Sequence, residues 1–225
     1  MVTKTTTSKR PRTTRGPGRP EGTSEVRSDI LDAAEDVFSS LGYAGTSLRE
    51  VAEKAKVTQA LISYYFGSKF GLFEQVFLRR SAPISQERIE RLEALQKQGK
   101  PSAKKIVRAF LLPTLSLRAS PQGRAFLRLQ ARLHTEPPEI SYNLRTQAYG
   151  GSTRLYVEAM RAALPKLGEL DAYWRVTMMI GTYLYAFSDT HRMEEMVPPG
   201  IYDPADVESI IDQVTRFVVG GFEAA

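Results

Sequence analysis

The stretch Thr46 to Lys69, TSLREVAEKAKVTQALISYYFGSK, governs how the rest of the chain is read. Ser47 and Glu50 stand in S-x-x-E spacing, the capping-box pattern that satisfies two free backbone donors at a helix start. Leu48, Val51, Ala52 and Ala55 then recur at helical spacing and give that helix a buried side. Lys56-Val57 reads as a turn, and Thr58 caps a second helix over residues 59–66. Leu61, Ile62 and Phe66 are its core residues, which leaves Gln59, Ala60, Ser63, Tyr64 and Tyr65 pointing elsewhere. A helix this short is not stable alone. Packed on its neighbours it becomes a rigid rod with a polar and aromatic outer face, a shape the DNA major groove admits. Gln59 suits an adenine edge. The hydroxyls of Thr46, Ser47, Thr58, Ser63, Tyr64 and Tyr65 suit phosphate oxygens, and Lys69 adds a cation beside them.

Upstream, Val26, Ile30, Ala33, Ala34, Val37, Phe38 and Leu41 make one apolar face of a helix expected over 24–41. Ser24 is read as its cap and Gly42 as its stop. Residues 1–22 have almost no large apolar side chains and are expected to be disordered in isolation. They hold Lys4, Lys9, Arg10, Arg12, Arg15 and Arg19 and, over residues 1–20, no acid. The remaining 25 basic residues equal the 25 acidic ones, so the net charge of +6 resides in this arm. Arg15-Gly16-Pro17-Gly18-Arg19-Pro20 has the look of a degenerate AT-hook. In such an arm glycine permits close approach to the minor-groove floor and Arg15 and Arg19 suit its negative potential. A solubilising or nonspecific phosphate-binding tail is the other reading of the same residues.

The segments ILDAAEDVFSSLGY at 30–43 and TSLREVAEKAKVTQALISYYFGSKFGLF at 46–73 resemble the DNA-binding domain of the tetracycline-repressor (TetR) family of transcriptional regulators. Leu61-Ile62, Tyr64-Tyr65-Phe66 and Lys69 match its pattern of an apolar pair, an aromatic pair ending in Phe, and a lysine after a small linker. The resemblance covers about residues 24–78. Two departures stand out: Ser63 where many members carry tyrosine, and Phe70 where an acid is common. The resemblance implies an all-α fold, a helix-turn-helix domain followed by a larger helical regulatory domain, and dimerisation through the last two helices.

The division expected is therefore a basic arm over 1–22, a DNA-binding domain over 23–68, and a regulatory and dimerisation domain over 69–225. Helix 4 is expected over 69–80, broken or kinked by Pro83 and resuming over 84–96. Further helices are expected over 102–117, with its last turns disturbed by Pro113, over 121–134, over 140–164 with an interruption at Gly150-Gly151, over 171–191, and over 204–222. The segment 173–185 is apolar nearly all round, so one side is core and the other fits a partner helix. Phe110, Phe126, Leu129, Leu133, Tyr149, Trp174 and Met178 are candidates to line a pocket for a largely apolar effector, although such residues are also ordinary core. Arg124, Arg128 and Arg132 form a stripe, usually a solvated face; Arg128 or Arg132 turned inward would hold a carboxylate, phosphate or carbonyl.

Several classes are disfavoured. The chain has no cysteine, which removes disulfides, thiolate metal sites and a thiol nucleophile. His134 and His191 lack metal-ligand spacing, and no phosphate loop, G-x-S-x-G or H-E-x-x-H occurs. No enzyme activity, metal or cofactor is expected. No stretch approaches about 18 uninterrupted apolar residues, and no apolar segment follows the basic N-terminus as in a secretory signal. The reading is a cytoplasmic homodimeric regulator, a repressor that a small molecule releases from a pseudo-palindromic operator. An architectural DNA binder without a sensing cavity is the alternative.

Overall fold

The computed structural model describes residues 21–188 and 191–224, and the basic arm with Arg15 and Arg19 lies outside them. The described residues are helical, without a strand: α1 (Glu21–Gly45), α2 (Leu48–Ala55), α3 (Gln59–Phe66), α4 (Lys69–Lys97), α5 (Ala103–Leu115), a 3₁₀ turn at Ser116–Ala119, α6 (Pro121–Leu133), α7 (Pro138–Ala163), α8 (Glu169–Phe187), α9 (Arg192–Met196) and α10 (Val207–Glu223).

Local chemistry sets most boundaries. The Ser47 hydroxyl accepts from the Glu50 N–H at 3.2 Å, and the Ser47 N–H donates to the Glu50 carboxylate at 2.8 Å. The side chains of Thr58, Ser68, Ser102 and Ser120 likewise accept from the N–H three residues on and cap α3, α4, α5 and α6, without the return bond. Gly42 interrupts α1 with φ 74°, as a stop residue should, and one more turn follows it. Ser24 is not the cap expected of it, because α1 begins at Glu21.

Two expected breaks are absent. α4 runs through Pro83 as one helix, and Pro83 is exposed. The carbonyl four residues earlier, on Arg79, loses its helical donor there, but an exposed flank lets water replace it. α7 runs through Gly150-Gly151 without interruption, because packing along α4 and α8 fixes the backbone that the glycines would free. Pro113 lies inside α5, which gives way to the 3₁₀ turn three residues later.

Two apolar cores result. The first joins Ile30, Phe38, Val51, Ile62, Phe66, Phe73 and Phe77 of α1–α4 to Phe126, Leu129 and Leu133 of α6 and Leu144 of α7. The residues read as a separate DNA-binding domain therefore share one core with α6 and α7. The second core fills the space between α5, α7, α8 and α10. α4 belongs to both: Phe73 and Phe77 sit in the first and Leu92 in the second.

Candidate nucleic-acid interface and effector groove

Gln59, Ala60, Ser63 and Tyr64 occupy i, i+1, i+4 and i+5, and so share one side of α3. All four are exposed, Tyr64 at 80%. Ile62 and Phe66, at i+3 and i+7 from Gln59, are buried along the adjoining side. Tyr65 is half-buried, its ring 5.3 Å from that of Tyr64 and 6.2 Å from that of Phe66. The turn before α3 places Lys56 in the left-handed region, φ 56°. After α3, Gly71 is required by close approach, because a Cβ there would lie 2.2 Å from the Phe66 carbonyl oxygen.

Other members of the expected contact set are occupied. Thr46 is 3% exposed and its hydroxyl donates to the Gly42 carbonyl at 2.8 Å, so it is an internal brace, not a surface group. Ser47 and Thr58 are exposed, yet their hydroxyls serve the caps of α2 and α3. The Ser47 hydroxyl and backbone N–H also hold the Glu50 carboxyl below its ordinary range. Lys69 donates to the Ala44 carbonyl at 3.3 Å and lies 4.6 Å from the Tyr43 ring centroid. Its ammonium keeps two further donors.

The reading helices are clamped to the rest of the chain at two places. Glu35 of α1, 2% exposed, receives Arg79 at 2.6 Å and Arg80 at 3.0 Å from α4. Arg79 also reaches Asp32 at 2.7 Å. From the end of α6, Arg132 donates to the Ser40 carbonyl at 2.8 Å, and the Tyr43 N–H donates to Glu136 at 2.9 Å.

A groove of 1090 Å³ opens between the C-terminal end of α6, the middle of α7, and α8. Tyr149 and Arg132 line it, as expected. The other candidates do not. Phe126 and Leu129 are fully packed in the core under the reading helices. Phe110 is fully buried beneath the groove in the second core. Trp174 and Met178 of α8 are 57% and 61% exposed and do not line the groove.

Arg88 is the group that the sequence concealed. It follows Glu87 and precedes Arg91 in a run that reads as a solvated helix face, and Arg91 does pair with Glu87 across the surface at 2.7 Å. Arg88 itself is 1% exposed and lies at the groove. Beside it Gln130 donates to the Tyr149 hydroxyl at 2.8 Å and the Tyr183 hydroxyl at 3.4 Å. Burial pushes the Tyr149 phenol up, so it is neutral at pH 7. At the rim, desolvation and the Arg145 guanidinium at 3.1 Å lower His134 to about 4, leaving it neutral as well.

Residues 30–76 match the model of bacterial regulatory proteins of the tetR family, and residues 108–221 match the tetracyclin repressor-like C-terminal domain. The chain belongs to the tetracycline-repressor family. It is a DNA-binding transcriptional regulator, and its relatives are regulators, not enzymes. The transcriptional repressor Rv3405c of Mycobacterium tuberculosis is 44% identical over 50 residues, 22% of this chain and 27% of that protein. The regulator RutR of Escherichia coli is 42% identical over 55 residues, 24% and 26% of the two chains. The regulator spans about a quarter of the length of these curated relatives. Over the whole fold it is similar to the fatty acid degradation regulator FadR of Bacillus halodurans, with TM-score 0.64 and 16% identity over 86% of this chain and 98% of that one. A TetR-like regulator of Rhodococcus has TM-score 0.60 and 19% identity over 94% and 100%. Among the described residues no helix is long and apolar enough to cross a membrane.

Proposed function

We propose that the regulator is a cytoplasmic homodimeric repressor that reads a pseudo-palindromic operator and leaves it when a small molecule fills the groove. One observation carries this reading: α8 and α6 are the facing walls of the groove, and each has a second engagement. α8 carries Leu170, Trp174 and Met178 exposed, none of them lining the groove, and Phe217 of α10 is 73% exposed. A monomer rarely leaves so many large apolar groups in water. Gly220 and Gly221 lie on α10, and a Cβ at either would meet nothing, so another helix can approach closely. This supports a face shared with a second copy. On the other wall, α6 and the turn after it are bonded to α1 through Arg132 and Glu136. A ligand between the walls therefore bears on both the pairing face and the reading helices.

Each subunit offers Gln59, Ala60, Ser63 and Tyr64 to base edges and backbone, with Tyr65 and Lys69 beside the phosphates. Two-fold pairing sets the half-sites about 34–36 Å apart, or a multiple of that. Release follows if the ligand binds the DNA-incompetent spacing more tightly than the competent one. Repression, not activation, is supported by the role of Rv3405c. The groove disfavours an architectural binder, which needs no cavity.

Sedimentation of Phe217→Asp, together with its affinity for a duplex selected from a random pool, tests the reading. Monomers with operator affinity lowered at least tenfold are expected. A dimer of undiminished operator affinity would overturn it.

A further inference from the structure

Arg88 contributes a buried charge without a counterion. Its Nε donates to the Phe110 carbonyl at 3.0 Å and its Nη2 to the Thr114 hydroxyl at 2.9 Å. Both acceptors are neutral, and no carboxylate reaches it among the described residues. The rings of Phe110, Tyr183 and Tyr149 surround it, centroids 3.7, 5.4 and 5.5 Å from the guanidinium carbon. Cation–π attraction offsets part of the lost hydration. An arginine cannot escape by losing its proton, so the charge stays, and isolated buried charge is costly.

The groove around it repeats the sign. Its walls include Arg88, Arg132, Arg145 and Arg154 and, among the described residues, no aspartate or glutamate. The polar groups deeper in are also incomplete. The Gln130 carbonyl oxygen is buried without a partner, and neither the Tyr149 nor the Tyr183 hydroxyl donates a hydrogen bond among the described residues. Turning the Gln130 amide over satisfies its oxygen but strands its nitrogen, so one member of the cluster lacks a partner either way. The apolar surface that remains comes from Val157, Ile180, Leu184 and the tyrosine rings.

Resting on the effector reading above, we infer that the effector is an organic carboxylate with an aromatic or aliphatic body, seated with its carboxylate on Arg88. A planar guanidinium matches a carboxylate in shape and charge. The Tyr149 and Tyr183 hydroxyls donate to the same group, and the outer arginines draw the anion into the groove. The expectation of a largely apolar effector is thereby narrowed to an amphiphile with one ionised end.

Calorimetric titration of the full chain tests this with phenylacetate, 3-phenylpropanoate and octanoate, each against its own primary amide, and with phenyl phosphate. At least one carboxylate is expected to bind at least tenfold more tightly than its amide and than phenyl phosphate. Arg88→Met should erase that preference, while Arg88→Lys and Tyr149→Phe should reduce it, which keeps the test open if the methionine variant does not fold. Equal binding of acid and amide, preference for phenyl phosphate, binding by no carboxylate, or a preference that survives Arg88→Met would overturn the inference. An Arg88-dependent carboxylate that leaves operator affinity unchanged would instead break the release mechanism and leave this assignment standing.

Discussion

Glu35 and Arg88 are both almost wholly buried, the first packed against the long helix α4 and the second part of it, but they are treated in opposite ways. Glu35 meets two arginines of α4, with hydrogen bonds to both of its oxygens. Among the described residues the Arg88 guanidinium meets a carbonyl, a hydroxyl and three rings, and no carboxylate. The paired charge lies where α4 must stay fixed to α1, and the unpaired charge lies where the chain opens a groove. A buried charge that is already answered fixes structure. One that is not answered marks where something else is meant to bind.

The strongest way to break this contrast is to neutralise each charge and compare stability in urea at one protein concentration. Glu35→Gln leaves Arg79 and Arg80 facing an uncharged amide, and because those arginines are partly exposed the loss is expected at the low end of a broken buried pair, about 3 kcal/mol. Arg88→Met should show no loss, and a gain of up to about 1 kcal/mol, because an unpaired ion is replaced by a group of similar length. A large loss for Arg88→Met would make it a structural group and remove the contrast. Smaller effects belong to the caps of the reading helices. Ser47→Ala and Thr58→Ala should each cost about 1 kcal/mol in the same urea experiment, since each leaves a helix-start donor unserved. Costs near zero would show that the caps are dispensable once α1 holds these helices. The smallest effect on stability, none, is expected for deletion of residues 1–20. The same deletion should flatten the salt dependence of operator binding, by up to roughly 5 in the log–log slope if all six cations contact phosphate. An unaltered slope would place the arm away from DNA.

What the sequence revealed follows how local each signal is. The caps at Ser47 and Thr58 and the end of α3 were legible because they depend on neighbours three or four residues away. The inward and outward sides of α3 were legible for the same reason. Thr46 was misread because its hydroxyl goes to Gly42, a choice made by the turn between them. Pro83 and Gly150-Gly151 signal breaks in an isolated helix, but α4 and α7 pack along each other and hold the backbone helical. Trp174 and Met178 have the composition of a pocket wall, yet they are exposed and do not line the groove. Arg88 could not be found from its neighbours, since Glu87 and Arg91 are a surface pair and the groups that bury Arg88 come from α5, α7 and α8.

Pro83 gives the long helix a mechanical property. It lies between the half of α4 clamped at Glu35 and the half that carries Arg88, and there the backbone lacks one rung of its ladder. A rod is most compliant where a rung is missing, so α4 should flex at that point before it melts anywhere. From Lys69 to Pro83 is about 21 Å of helix, so a bend of roughly 5° there would swing the α3 end by roughly 2 Å. That displacement is enough to spoil the fit of a rod in a groove.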